Sequence, residues 1–118
     1  MKKLLPLLVV VLLAFTGCQS GPAVYEKTEN PHEIVTHAEK FVNQVSKKSK
    51  HYSAEEWDAT VEQFVIMCKD YIDNKRFLSI DEQMQFDNAR VKFMGAIDVA
   101  RKDDVALRVK EEYSKLIN

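Results

Sequence analysis

The sequence has few of the residues from which many kinds of functional site are built. It has three glycines and two cysteines in 118 residues, and it contains neither a phosphate-binding glycine loop nor a nucleophile motif. Its 17 basic and 18 acidic residues nearly cancel, whereas a nucleic-acid-binding domain carries a clear basic excess. No apolar run reaches the roughly 20 residues of a membrane-spanning helix. We therefore expect no cofactor, no nucleic-acid partner and no enzymatic activity.

The first eighteen residues have the layout of a secretory signal. Lys2 and Lys3 precede an apolar run over residues 4–15, and the small residues Thr16 and Gly17 lead to Cys18. A positive start, a short apolar run and a small-residue cleavage site are typical of a signal peptide. The run is also too short for a comfortable permanent membrane span. The sequence therefore predicts a cleaved leader over residues 1–17.

The end of this leader, Phe15-Thr16-Gly17-Cys18, resembles the lipobox of bacterial lipoproteins. The resemblance implies cleavage before Cys18 and lipidation of Cys18, so that acyl chains attach the protein to a membrane. Phe15 departs from the leucine usual at that position. The alternative is a plain secreted protein that is cut a few residues later. Gln19 replaces the aspartate that often retains Gram-negative lipoproteins in the inner membrane, and this favours the outer membrane.

Cleavage would leave 101 residues, enough for one small domain. Without Lys2 and Lys3 the mature chain has 15 basic and 18 acidic residues, a net charge of −3. Residues 19–29 begin with Gln-Ser-Gly-Pro-Ala, and Val24 and Tyr25 are their only large apolar residues. We predict a flexible tether over residues 18–29 and a helical domain over residues 30–118.

Capping signals predict where the helices begin. Asn30 and Pro31 suit a first helix start, with Glu33 at the capping-box position. Ser53 and Glu56 form a capping box at the second start, and Tyr52 and Trp57 occupy its hydrophobic-staple positions. Apolar residues then recur at helical spacing in both helices. The members of these stripes are Ile34, Ala38, Phe41 and Val45, and then Trp57, Val61, Phe64, Cys68 and Tyr71.

The third helix follows a second capping box, Ser79 with Glu82. Its apolar residues fall on two sides, which predicts contacts on both. One side comprises Ile80, Met84, Val91 and Met94, and the other comprises Phe86, Ala89, Phe93, Ile97 and Ala100. Gly95 would destabilise this helix by about 1 kcal/mol relative to alanine. A close crossing of another backbone at this position would be one reason for the glycine.

The charge order predicts a break after the third helix. Arg101 and Lys102 suit a helix end, and Asp103 and Asp104 suit a new start with Asp103 as its N-cap. The sequence therefore predicts an all-α protein, a small antiparallel bundle of three long helices and a shorter C-terminal helix. The short link around Lys50 and His51 favours an antiparallel hairpin of the first two helices.

Several residue groups have both a functional and a structural interpretation. Residues 47–51, Lys-Lys-Ser-Lys-His, could touch anionic headgroups or glycans, but a solvated helix end is favoured. His32 and His37 do not share a helix face, and no ligand set completes a metal site with them or with His51. His37 is instead expected to pair with Glu33.

Cys68 could be a reactive or dimerising thiol, but its place inside the apolar stripe favours a small buried side chain. With Cys18 lipidated, no internal disulfide is expected. Tyr52 and Trp57 could stack on a sugar, although the staple already explains them. The second helix start also carries a group of carboxylates that nothing pairs across a cleft. They are Glu55, Glu56, Asp58 and Glu62.

The stretch Tyr-Ser-Ala-Glu-Glu-Trp at residues 52–57 is similar to the helix start of a group of small helical lipoproteins of Gram-negative bacteria. The group supplies an expectation about the fold and none about activity. We therefore expect a non-enzymatic, lipid-anchored helical binding or structural module of the cell envelope, in contact with an envelope protein. The alternative is a periplasmic stress or chaperone-like protein. Helical members of that class often carry Leu-Thr-x-x-Gln, and here Gln83 lies one residue late after Leu78.

Overall fold

Residues 21–118 are described by a computed structural model, and this part of the chain contains helices and turns but no strand. The four α-helices are α1 (Ile34–Lys48), α2 (Ala54–Asn74), α3 (Ile80–Val99) and α4 (Asp103–Ile117). Short 3-10 turns precede α1, α2 and α3, at Pro31–Glu33, Ser49–His51 and Lys75–Phe77. The predicted all-α helical bundle is confirmed, with α1 and α4 equal in length at 15 residues each.

Both predicted capping boxes are present. The Ser53 backbone N–H donates to the Glu56 carboxylate at 2.8 Å, and the Glu56 N–H donates to the Ser53 hydroxyl at 3.1 Å. Ser79 and Glu82 repeat this geometry with the same distances at the start of α3. The Tyr52 ring packs edge-on against Trp57, with their centroids 5.3 Å apart. These local signals begin α2 and α3 at the expected residues.

The start of α1 differs in detail from the expectation. The Asn30 side chain accepts the His32 N–H at 3.0 Å, but a 3-10 turn comes first and α1 begins at Ile34. The Glu33 carboxylate accepts the Thr28 hydroxyl at 3.2 Å instead of completing a capping box.

The break between α3 and α4 is confirmed, and its geometry explains how it forms without glycine. The N–H of Lys102 donates to the Ile97 carbonyl at 3.2 Å, and that of Arg101 donates to the Asp98 carbonyl at 3.0 Å. This pair of bonds is the Schellman motif, which places one residue in the left-handed region. That residue is Arg101, with φ of 58°. Asp103 is already the first residue of α4, so Lys102 occupies the N-cap position predicted for Asp103.

The helices alternate in direction, so α1 runs parallel to α3 and α2 parallel to α4. His32 lies beside Glu82 and Asn43 beside Lys92, so α1 and α3 advance together. Phe64 faces Phe93 and Tyr71 faces Phe86, so α2 and α3 run in opposite directions. The most extensive backbone contacts between helices are those of α1 with α3 and of α2 with α4.

Aromatic side chains fill the centre of the bundle. The Phe93 ring stacks on Phe64 at 4.4 Å and on Phe41 at 5.9 Å between centroids. A second stack, Tyr71 on Phe86, has centroids 3.8 Å apart. Each such side chain contributes about 1.5–3 kcal/mol when it is removed from water. Because Phe93 contacts both α1 and α2, it joins three helices.

The predicted flexible tether is wrong for residues 23–25. Ala23 and Tyr25 are 3% and 4% exposed and belong to the core cluster. The Tyr25 ring packs edge-on against Phe41 of α1, and its N–H donates to the Gln63 side chain of α2 at 2.8 Å. Burial of this side chain holds an extended segment that has no secondary structure of its own. The ordered domain therefore begins ahead of residue 30.

Gly95 is not at a helix crossing. A Cβ atom built on Gly95 would meet no atom within 4 Å, so a close approach of another backbone does not account for this glycine. Within residues 21–118, none of the helices is both long enough and apolar enough to cross a membrane.

Candidate functional site

Cys18, the predicted lipidation residue, lies outside the described residues, as do the rest of the leader and Gln19. The other residues that the sequence singled out lie within residues 21–118. Their environments separate the structural residues from those that face solvent.

The most distinctive surface is the side of α3 that points away from the core. Ile80, Met84 and Val91 are 69%, 58% and 62% exposed. Their spacings of four and seven residues place them on one helix face, which extends over about 16 Å. We call these three residues the outer face of α3. Single exposed apolar residues are ordinary, whereas an aligned group is typical of an interaction surface.

The sequence predicted contacts on both sides of this helix, and residues 21–118 cover only one of them. Phe86, Ala89, Phe93 and Ile97 are buried as expected. Met94, assigned to the other side, packs partly buried against the core. The remaining three residues of that side form the outer face, so the prediction of contacts on both sides is wrong for the described chain.

Acidic residues lie on and beside the outer face. Asp81, Asp87 and Asp98 are exposed on α3. Helical spacing places Asp87 between Met84 and Val91 on the outer face itself, Asp98 on the same side two turns beyond Val91, and Asp81 to one side. Asp87 has a basic neighbour, since an Arg90 guanidinium nitrogen lies 3.8 Å from its carboxylate. Lys92, on the same flank of α3 as Asp81, donates to the Asn43 side chain of α1 at 2.5 Å. The outer face thus combines three exposed apolar side chains with carboxylates that lie in line with them.

Phe77 adds an exposed aromatic ring just before α3. It is 51% exposed, and the Arg76 guanidinium carbon lies 4.8 Å from its ring centre. It lies in the 3-10 turn that leads into Ile80. The apolar exposure therefore begins one turn ahead of the helix.

Cys68 is a core residue. It has no exposed surface, and its burial raises the pKa of the thiol to about 12. A thiol that stays protonated and has no access to solvent is a poor nucleophile and a poor disulfide partner. This agrees with the interpretation of Cys68 as a small buried side chain.

The histidines make separate local contacts. His32 Nδ1 lies 3.0 Å from the Glu82 carboxylate. His37 Nδ1 donates to the Glu26 carbonyl at 2.7 Å, and its Nε2 lies 3.9 Å from Glu33, the pair expected from the sequence. His51 is exposed in the turn between α1 and α2. Residues 21–118 contain no group of three or more potential metal ligands.

Glu82 links the start of α3 to the start of α1. Its carboxylate accepts the Ser79 N–H at 2.8 Å and also contacts His32. The Ser79 backbone hydrogen bond, followed by the His32 contact, lowers the pKa of this carboxyl group. The capping box thus also ties two helix starts together.

Tyr52 and Trp57 are both buried, at 8% and 1% exposed. The Tyr52 hydroxyl accepts the backbone N–H of Ala23 at 3.0 Å, so this ring holds the N-terminal segment besides stapling α2. Neither ring is presented to solvent as a sugar-stacking platform would require.

The carboxylates at the start of α2 are dispersed among structural roles. Glu56 is used by the capping box, and Asp58 pairs with Arg108 of α4 at 2.7 Å. The Asp58–Arg108 pair lies at one side of an open groove of about 770 Å³ between α2 and α4, which Glu62, Ile66 and Glu112 also line. The sequence placed these carboxylates on one helix start but could not show the arginine of α4 that neutralises one of them.

Sequence patterns missed the buried polar cluster around Tyr25. The Tyr25 hydroxyl donates to Asp70 Oδ2 at 2.7 Å, and Asp70 is 4% exposed. Asn74 also donates to the other Asp70 oxygen at 3.3 Å. One signal was available, because Gln63 and Asp70 are seven residues apart and therefore share a face of α2. Both bond to Tyr25.

Comparisons of the chain with protein-family models, with curated proteins and with solved structures gave no match.

Proposed function

We propose that the chain is a non-enzymatic, lipid-anchored binding module of the bacterial cell envelope. Acyl chains on Cys18 would hold it at the outer membrane of a Gram-negative bacterium, and the outer face of α3 would bind an envelope protein. The lipobox-like sequence at residues 15–18 supports the anchor. Two or more acyl chains on one cysteine give lasting attachment, whereas a single chain gives only marginal attachment.

The observation that carries the binding role is the exposure of Ile80, Met84 and Val91 on one side of a well-packed helix. The opposite side of α3 already supplies the core residues Phe86, Phe93 and Ile97. The outer face is therefore not needed for folding, and its apolar character costs solubility unless another surface covers it.

The chemistry of the face indicates the kind of partner. Three apolar residues over about three helical turns fit the apolar stripe of an amphipathic helix. The carboxylates of Asp87 and Asp98, which lie in line with these apolar residues, favour basic residues on the partner. We therefore propose a partner helix with lysines or arginines among its apolar residues.

The alternative, a periplasmic stress or chaperone-like protein, would use the same apolar residues for unfolded chains. Proteins of that kind would usually present a basic concave surface, whereas the exposed carboxylates of Asp87 and Asp98 lie in line with the apolar residues of α3. This difference favours the binding module. The two functions also predict different numbers of partners, because a chaperone contacts many chains and a binding module contacts few.

Site-specific photo-crosslinking in intact membranes tests the proposal. A photoreactive residue replaces Met84 in the native lipoprotein, and the same residue at Leu107 is the matched control, since Leu107 of α4 is also apolar and 62% exposed. We expect a discrete adduct from position 84 that Val91→Glu abolishes. The same adducts at both positions would refute the binding face, and a continuous smear from position 84 would support the chaperone-like alternative.

The anchor is tested separately by metabolic labelling with radioactive palmitate. Label is expected on the wild type and not on Cys18→Ala. Equal labelling of the two would refute lipidation at Cys18.

A further inference from the structure

The proposed anchor brings one particular end of the bundle to the membrane. Ala23 is buried, and its N–H is held by the Tyr52 hydroxyl at 3.0 Å. Five residue steps separate Cys18 from Ala23, and they span at most about 18 Å. If Cys18 is lipidated, the bilayer surface therefore lies within about 18 Å of Ala23. Ala23 is hydrogen-bonded to Tyr52, two residues ahead of the first residue of α2.

The basic cluster of residues 47–51 lies at this same end. It comprises the last residues of α1 and the 3-10 turn that immediately precedes Tyr52. Lys47, Lys50 and His51 are exposed and Lys48 is half-buried, whereas Ser49 is buried and fixes the turn. Within residues 21–118, none of these three lysines is in an ion pair with a carboxylate.

The charges of the neighbouring elements must be counted with the cluster. The start of α2 carries acidic residues, one of which is the capping residue Glu56. The connection between α3 and α4 adds both acidic and basic residues. The charged groups at this end, apart from the Asp58–Arg108 pair, are Lys47, Lys48, Lys50, Arg101 and Lys102, with Glu55, Glu56, Asp98, Asp103 and Asp104. These groups balance in formal charge.

The rest of the mature chain therefore carries the acidic excess of −3. The end that holds the basic cluster has no net formal charge, whereas the rest of the domain is negative as a whole. An anionic surface therefore repels the rest of the domain more than this end, and the effect acts within about 10 Å at ordinary ionic strength.

From this arrangement we propose that the α1–α2 turn is a second membrane contact, in which Lys47, Lys48 and Lys50 face anionic phospholipid headgroups. The inference rests on the proposed anchor at Cys18. From the sequence alone, a solvated helix end is the favoured interpretation of residues 47–51, and contact with headgroups is the alternative. The structure favours contact with headgroups, because it shortens the tether to the few residues ahead of Ala23. This contact also orients the bundle, with the beginning of α3 and Phe77 at the end away from the bilayer.

Energy transfer from two labelled positions to headgroup-labelled lipids tests this orientation in the native lipoprotein. Cys68 is buried and Cys18 would be acylated, so a cysteine introduced at an exposed position takes the label selectively. His51→Cys places it in the α1–α2 turn, and Asp73→Cys places it near the other end of α2, roughly 30 Å away along the helix. Both substitutions leave the three lysines in place.

We expect stronger transfer from position 51 than from position 73 in vesicles of phosphatidylcholine mixed with phosphatidylglycerol. The difference should shrink in phosphatidylcholine alone, in high salt, and in a Lys47→Gln, Lys48→Gln, Lys50→Gln background. As a matched control, Lys69→Gln, Lys75→Gln, Lys110→Gln removes three exposed lysines elsewhere and should leave the difference unchanged.

Equal energy transfer from the two positions, or a difference that does not depend on lipid charge, would overturn the second contact while leaving the anchor intact. Failure of the protein to stay on phosphatidylcholine vesicles would instead remove the anchor, and with it both proposals. A further readout is flotation of the Cys18→Ala chain with anionic vesicles. The three lysine substitutions should lower this binding by about tenfold or more.

Discussion

The hydroxyl of Tyr25 donates a hydrogen bond of 2.7 Å to the carboxylate of Asp70, 45 residues further along the chain. Both residues are 4% exposed. The bond joins a segment without regular structure to α2. It also satisfies a buried acid that has few other partners, since Asn74 is the other side chain that donates to it among the described residues.

Removing the Tyr25 hydroxyl should destabilise the fold. We expect Tyr25→Phe to lower the free energy of unfolding by about 1–3 kcal/mol, because it leaves a buried acceptor unsatisfied. Urea denaturation measures the change. Tyr113→Phe is the matched control, since Tyr113 is half-buried and its ring lies over Arg90, and it should change stability by less than about 0.5 kcal/mol. Equal small effects for both variants would contradict the role given to the bond.

The protein should lose stability in alkali, and Cys68 should contribute to the loss. Burial raises the pKa of its thiol from 9.0 to about 12. Above pH 9 the unfolded chain therefore releases a proton that the folded chain keeps, so the free energy of unfolding falls as the pH rises. The slope for one such group approaches about 1.4 kcal/mol per pH unit.

The measurement is the free energy of unfolding between pH 7 and 10 for the wild type and for Cys68→Ala. The variant starts less stable because it leaves a small cavity, so the slopes are compared and not the absolute values. We expect a shallower decline in the variant above pH 9. Parallel curves would show that the thiol ionises equally in both states.

Arg101→Gly should stabilise the protein. Arg101 has φ of 58°, and a left-handed conformation costs a residue with a Cβ atom roughly 1–2 kcal/mol, a cost that glycine avoids. Allowing for the greater entropy of glycine in the unfolded chain, we expect a gain of about 0.5–1 kcal/mol in thermal or urea denaturation. Arg101→Ala keeps the Cβ atom and should give no gain.

Gly95→Ala should also stabilise the protein, because here the glycine lies inside a helix and a residue with a Cβ atom is favoured. Gly95 is exposed inside α3 and has open space where a Cβ would be, so alanine brings its better helix propensity without a clash. The expected gain is about 1 kcal/mol in the free energy of unfolding. A loss of stability on this substitution would show that a methyl group at position 95 meets a neighbouring group.

The parts of the fold that the sequence predicted are those that short-range interactions determine. Ser53 and Ser79 each need only a glutamate three residues on, and both capping boxes form as expected. The break near Arg101 was visible in the order of charges. The charge order predicts the N-cap one residue late, at Asp103. The left-handed turn at Arg101 takes Lys102 out of α3 and leaves Asp103 free to be helical.

The N-terminal segment could not be predicted in the same way. Ala23 and Tyr25 alternate with the exposed Val24, but two buried residues are too few to separate a packed extended segment from a polar linker. Their partners Tyr52, Gln63 and Asp70 are 29 to 45 residues distant in sequence. Likewise, nothing local indicates that Ile80, Met84 and Val91 stay uncovered, since exposure depends on how many helices pack around α3.

The attachment of Ala23 and Tyr25 also determines how the domain responds to mechanical force. Tension applied to the chain ahead of residue 23 first meets the Ala23–Tyr52 hydrogen bond, and then the Tyr25 contacts with Gln63, Phe41 and Asp70. A pull from that side must therefore extract a buried aromatic ring before it reaches the first turn of α1. The force therefore reaches the bundle through buried contacts, and the contacts of Tyr25 must break before the first helix is pulled.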